Sequence, residues 1–376
     1  MGVRVIWLYV SVLFLVACRG QHSSSQGEER DIPLKYASAL SLREGEGYVC
    51  AEFRNPWDST ATLHRYVLVP RDSALPARLP EGDVVRIPLR RMLCYVSIHA
   101  SLFHELGALN AIGAVGEAEY MDIPALQQAI REGRVVDCGS SSVLNTEQIL
   151  DFSPDAVLVS AVEDNSSYAR LMQMGVPVIE CADYMETGPL ARAEWMRFFA
   201  LLVGKEAQAD SLFKEVEGRY LALQQRVQDA PVKPVVLDGI RIGGDWYVAG
   251  SSSTVGQFIA DAGGRYVFSD ENHRGALPFS PEVVLERGEE ADIWMFKYYK
   301  KGSDMTCSEL RQEWQGYAQL KAFRQHRVYA ANLLTTDFSL ATPFHPDLLL
   351  REYVRILHPE VLEDDVPNTY FLNLAE

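Results

Sequence analysis

The chain is poor in the residues that usually announce chemistry. It holds six cysteines and eight histidines among 376 residues. With no CxxC pair and no Cys/His cluster, a zinc-ribbon site is excluded. No GxxxxGK[ST], GxSxG or HExxH stretch occurs, so a phosphate loop, a nucleophile elbow and a zinc-protease helix are excluded as well. There is no tight acid pair for glycosidic chemistry, and Ser251-Ser252-Ser253 lacks a neighbouring base to activate it. Basic residues are in deficit: 35 Lys and Arg against 51 Asp and Glu give a formal net charge of -16. That excludes non-specific nucleic-acid binding, which needs a basic face to displace counterions. The apolar run at residues 5–17 falls short of the ~20 residues that span a bilayer.

What is present suits an exported globular protein. The composition is 48% hydrophobic and 23% charged, so the chain folds, and its length predicts two domains. "MGVRVIWLYVSVLFLVACRG" has an early arginine, an apolar stretch and then a cysteine, the plan of a secretory signal. Its ending, Leu15-Val16-Ala17-Cys18, resembles the bacterial lipobox, in which the cysteine is lipidated and begins the mature chain. The polar, Ser-rich "RGQHSSSQGEERD" that follows reads as a flexible tether. The remaining cysteines, Cys50, Cys94, Cys138, Cys181 and Cys307, are widely spaced and read mostly as buried small hydrophobes.

Along the chain, residues 32–90 carry strand-like stretches broken by turn chemistry, as at Asn55-Pro56 and Asp58-Ser59. Strands then alternate with helices: "AIGAVG", "AVLVS" and "MGVPVIECA" are buried strands of a parallel, helix-covered sheet. From about Gly188, some forty residues keep helical periodicity. Trp195, Phe198, Phe199, Leu202 and Val203 form one apolar stripe; Phe213, Val216, Tyr220, Leu223 and Val227 form another. Gly204-Lys205 is the point at which this helix can be interrupted. The alternation resumes with "KPVVLDGI", "TVGQFIADAGG", "ADIWMF", "RVYAANL" and "HPDLLLREYVRILHP". One pattern occurs twice. "NTEQILDFSPDAVLVS" places Glu147 eight residues before Asp155, and "FSPEVVLERGEEADIWMF" places Glu282 ten residues before Asp292.

Taken in order, the lipobox, the two α/β halves, the long helix and the motifs "NTEQILDFSPDAVLVS", "STVGQFIADAGG" and "HPDLLLREYVRILHPEVL" resemble the substrate-binding lipoproteins of ABC importers for iron-siderophore, haem and cobalamin. The likeness spans residues 86–363, and residues 32–85 look like an added β region seen in Bacteroidetes members. It implies an α/β fold of two lobes with mainly parallel sheets, joined by a single long α-helix, plus an N-terminal β-rich segment. The chain divides accordingly into a signal peptide (1–18), a tether (19–31), an N-terminal lobe (32–187), a connecting helix (188–229) and a C-terminal lobe (230–376). The implied function is capture of an iron chelate (siderophore or haem) or cobalamin in an interlobe cleft and delivery to a permease dimer. The protein would be lipid-anchored through Cys18 on the periplasmic side of a membrane, with no catalysis and no resident cofactor or metal. Glu147 and Glu282 match the glutamates that, in this family, dock one on each permease subunit.

Ligands of open α/β sheets lie off the carboxyl ends of strands, which selects the loops expected to line the cleft. The first lobe offers Tyr95, Ser97, His99, Glu119, Tyr120, Ser140 and Glu163. The second offers Arg241, Trp246, Tyr247, Tyr298 and Phe338, with Lys297 beside them. Aromatic side chains give broad, rigid contact to a macrocycle or chelate, and an arginine meets a carboxylate or catecholate bidentately. His99 has the chemistry of an axial haem ligand and equally that of a solvated histidine at a helix start. A metal-ion receptor of similar build and a stand-alone surface haem-binding lipoprotein remain as alternatives. The first would need three or four converging His, Asp or Glu ligands, and the second would not need Glu147 and Glu282.

Overall fold

The structure, a computed structural model, describes residues 29–58, 60–164, 166–362 and 366–374. The signal peptide, most of the tether and Cys18 lie outside the described residues. The first lobe is built on five parallel strands in the order Val178–Cys181, Val157–Ser160, Met92–Cys94, Ile112–Val115, Val136–Asp137. Its inner strands are apolar on both faces because helices cover both. Met92 and Cys94 join one core, while Leu93 and Tyr95 turn to the other, with Ile149, Phe152 and Leu171.

The second lobe repeats the arrangement. Its main sheet runs Arg265–Tyr266, Val235–Asp238, Ile293–Tyr298, Val328–Asn332, with Leu372–Asn373 added antiparallel at the edge. In each lobe the helix bearing the repeated glutamate leads into a strand beside the lobe's first strand. Asp155 accepts backbone N–H bonds from Arg90 (2.7 Å) and Arg91 (3.0 Å), just ahead of the strand at Met92. Asp292 accepts one from Val235 (2.8 Å), the first residue of the matching strand. The sequence repeat is therefore a structural repeat.

The N-terminal segment forms a separate five-stranded sheet over Arg30–Ile87, antiparallel except for its last pair, Thr62–Pro70 with Asp83–Ile87. It packs on the connecting segment through Phe53, whose ring lies 4.8 Å from that of Trp195 and 4.9 Å from that of Phe198. It also covers a sheet edge. The Tyr66 hydroxyl donates to the Val178 carbonyl (3.1 Å) and accepts from the Glu180 N–H (3.0 Å), occupying backbone groups that an edge strand otherwise leaves open.

The connecting segment is not one continuous helix. It comprises Pro189–Glu194, Met196–Val203 and Glu206–Val227. The last two are separated because Gly204 takes a left-handed conformation (φ 65°), which glycine adopts without strain and other residues rarely do. The 22-residue helix Glu206–Val227 is about 33 Å long. Its first half sends Ala209 and Phe213 into the core of the first lobe, and Val216, Tyr220 and Val227 enter that of the second. All five cysteines among the described residues are buried, and no helix there is long and apolar enough to cross a membrane.

Candidate functional site: an interlobe cavity at the strand ends

Two helices begin at the carboxyl ends of strands and converge between the lobes. Ser97–Glu105 follows Met92–Cys94, and Thr254–Asp261 lies beyond Val235–Asp238 and the hairpin after it. Ser253 caps the second, its side chain accepting from the Gly256 N–H (3.3 Å). Position 256 tolerates only glycine, because a Cβ there would stand 2.4 Å from the Ser251 carbonyl oxygen. Between these helix starts lies a cavity of about 190 Å³. Ile98 from the first lobe and Pro189 and Arg192 from the connecting segment form one side. Thr254, Phe258, Lys297, Phe338, Thr342 and Tyr353 form the other. Its walls are largely apolar and aromatic, with one cation on each side.

Each cation lies in the field of a buried acid, and Arg192 is bonded to its own. Arg192 donates through Nε to Asp183 Oδ2 (3.1 Å), and Asp183 Oδ1 lies 2.9 Å from His99 Nε2. Burial works to raise the Asp183 carboxyl, but the charges and hydrogen bonds of His99 and Arg192 outweigh it and hold the group at about 2. Asp238, at the end of its strand, is pushed up to about 6 by burial, against the opposing pull of Lys297. Lys297 itself lies over the Phe338 ring, 5.7 Å from its centre.

Of the residues singled out in the sequence, Phe338 and Lys297 line this cavity, and Ser97 and His99 flank its Ile98. His99 is buried, 1% exposed, with its ring against Phe199 at 4.3 Å and its Nε2 taken by Asp183. Trp246 belongs to the core, 0% exposed among Trp294, Trp314 and Tyr317. Tyr95 and Tyr298 are buried too; the Tyr298 hydroxyl accepts from the Met305 N–H (3.0 Å). Glu119, Tyr120 and Glu163 are exposed and Ser140 is half-buried, all on loops after first-lobe strands. Ser140 donates to Glu117 (3.2 Å). Arg241 lies 5.4 Å over the Trp314 ring, with Tyr247 exposed close by on the same hairpin. Sequence reasoning missed Arg192, Phe258 and Tyr353. Arg192 carried a signal: it is a cation inside the buried run "PLARAEW".

Glu147 and Glu282 occupy equivalent seats. Each is the second residue of its helix, Thr146–Phe152 or Pro281–Gly288, and each is exposed. Each helix is capped by the residue before it: Asn145 accepts from the Gln148 N–H, and Ser280 from the Val283 N–H. A carboxylate in the first turn also suits the helix dipole. A short turn links each helix to the start of a parallel strand, so each helix begins toward the carboxyl edge of its sheet, the edge at which the cavity opens.

Two lobes of repeated topology, a helical spine packed into both, and a cavity between their strand ends define a bilobed solute receptor. The match of residues 99–332 to the periplasmic binding protein family places the chain in that family, so it is a solute-binding protein rather than an enzyme. An uncharacterized lipoprotein of Methanocaldococcus jannaschii is 27% identical over 319 residues, 81% of this chain and 74% of its own. A cobalamin-binding protein of Halobacterium salinarum is 26% identical over 246 residues, 64% of this chain and 63% of its own. Among solved structures, the TroA-like periplasmic binding protein FepB of Veillonella parvula superposes with a TM-score of 0.60 at 18% identity, covering 78% of this chain and 97% of its own. The periplasmic heme-binding protein RhuT of Roseiflexus sp. RS-1 gives 0.57 at 23% identity, covering 73% and 99%.

Proposed function

We propose that the protein captures an iron chelate (siderophore or haem) or cobalamin in the interlobe cavity and delivers it to the permease dimer of an ABC importer. The observation that carries this reading is the repeated seat of Glu147 and Glu282, one acid per lobe at the same helix position and the same sheet edge. A two-fold partner presents two equivalent surfaces, and a receptor with repeated lobes meets them with two equivalent acids; such rim charges set encounter rate and register. The aromatic and apolar cavity walls suit an organic guest better than a bare ion. Among the described residues, no three His, Cys, Asp or Glu side chains group as a metal-ion set, which weighs against the metal-ion receptor. Cys18 would carry the lipid that holds the protein at the periplasmic side of a membrane. Relatives named as lipoproteins support that anchorage.

Titration tests the capture step. The purified protein is mixed with haem, cyanocobalamin and ferric siderophores while tryptophan fluorescence and visible spectra are followed. Saturable binding of one of them at micromolar or tighter affinity is expected. Binding of bare metal ions alone, or turnover of a substrate, would overturn the reading.

A further inference from the structure

The two cations of the cavity are not equivalent. Lys297 lies over an aromatic ring and within the field of buried Asp238. Arg192 is fixed differently. Only its Nε is used by Asp183, and the side chain is 21% exposed at the cavity it lines. A guanidinium has two further nitrogens, which can meet a planar anionic group side by side. Behind it, Asp183 is 2% exposed and bound on both oxygens, one by Arg192 and the other by His99. An ionised carboxylate only accepts, so His99 donates from Nε2. Its Nδ1 is buried with no partner among the described residues. The histidine is therefore anchored through a single bond, and that bond points at the acid holding the cavity's arginine.

This row of three groups runs from the first lobe to the connecting segment. His99 is on the helix Ser97–Glu105, Asp183 follows the edge strand Val178–Cys181, and Arg192 is on Pro189–Glu194. A surface ion pair would not need a buried third member. A side chain that must hold its direction while an adjacent site fills and empties gains from one, since rotamers locked from behind lose less on binding.

We propose that Arg192 selects the charge of the ligand by meeting an anionic group in the cavity, with Asp183 and His99 as positioning residues behind it. This rests on the chelate-capture reading and names its substrate class: a chelate with a carboxylate or catecholate edge, in preference to a neutral one.

The purified protein is titrated with four probes: ferric haem, a trianionic ferric tricatecholate, a neutral ferric trihydroxamate and cyanocobalamin. The wild type is expected to bind an anionic probe best. Arg192→Gln should weaken that binding roughly tenfold to a hundredfold, the scale of a charge-assisted hydrogen bond, and leave neutral probes unchanged. Arg192→Lys should recover part of the loss. Since Arg192→Gln strips a partner from buried Asp183, the double variant Arg192→Gln with Asp183→Asn is measured beside it, with the same expectation. Asp183→Asn alone and His99→Phe alone keep the arginine's charge. They should weaken the anionic probes by less than Arg192→Gln does and leave the neutral probes unchanged, so that the preference narrows, whereas mere structural damage would weaken all probes alike. Wild-type affinity for the anionic probe in Arg192→Gln, or equal losses for anionic and neutral probes, overturns the assignment. A wild type that prefers a neutral probe overturns this inference and leaves the capture reading standing. A wild type that binds none of the four overturns both.

Discussion

Buried glutamates sew both ends of the described chain to the body. Glu194, 0% exposed, accepts the backbone N–H groups of Lys35 (2.8 Å), Tyr36 (2.7 Å) and Ala37 (2.9 Å). Glu186 takes those of Ser38 (2.9 Å) and Ala39 (2.8 Å), and also accepts from the Trp195 indole (3.0 Å). Near the other end, Glu352 takes those of Thr369 (2.5 Å), Tyr370 (2.9 Å) and Phe371 (2.8 Å). One carboxylate thus neutralises a run of amides that no sheet satisfies. Glu194→Ala should cost about 2–4 kcal/mol, since buried donors left unmade each cost ~1–3 kcal/mol. Urea denaturation measures it, and a loss under about 0.5 kcal/mol would mean that other contacts hold the strap. These acids were illegible in the sequence. Glu186 and Glu194 stand in and beside a run read as core helix, and nothing local says that their partners lie about 150 residues earlier.

At the scale of elements, the alternation of strands and helices was readable, because buried parallel strands write themselves as short apolar runs. The sequence expectation for residues 240–249 is a cleft loop, whereas the structure forms the hairpin Ile240–Ile242 with Asp245–Ala249. Its period of two was present: Trp246 and Val248 turn inward, Asp245 and Tyr247 outward. That alternation makes Trp246 a core residue and not a ligand contact. The break at Gly204 was visible as a glycine, but its left-handed conformation was not. Gly204→Ala should destabilise by about 1–2 kcal/mol, the cost of a Cβ in that region, read as a lowered urea midpoint. An unchanged midpoint would mean that the turn re-forms without strain.

A second element-level contact spans the lobes. His345, just before the helix Pro346–Leu357, bonds Glu105 at the end of the helix Ser97–Glu105 (2.8 Å). The next acid, Asp347, is held by Arg219 of the spine (2.6 Å). Burial would lower the His345 pKa and Arg219 opposes protonation as well, but Glu105 and Asp347 together raise it above 6.5. A raised histidine stabilises the fold fully below the unfolded value of 6.5, and that contribution fades as pH rises through the folded value. Glu105→Gln should therefore destabilise more at pH 5.5 than at pH 8.5, by up to about 1 kcal/mol for so exposed a pair. Thermal melts at the two pH values measure it. An equal effect at both would show that the bond does not depend on the histidine's charge.

At the scale of the whole molecule, the doubling of the lobe organises everything else. It sets two sheets with their carboxyl edges toward one cavity, and it seats two glutamates alike on two capped helices. The sequence exposed this doubling through a short repeated phrase, since capping residue, acid and apolar pair recur in order. The cavity was less legible. Its lining comes from Ile98, Arg192, Phe258, Phe338 and Tyr353, scattered residues that only the packing of helix starts brings together.

The most direct measurement is uptake by cells carrying Glu147→Ala with Glu282→Ala, set beside the ligand affinity of the same purified variant. The account predicts unchanged affinity and abolished uptake. Normal uptake, or a loss of affinity in the double variant, would contradict it.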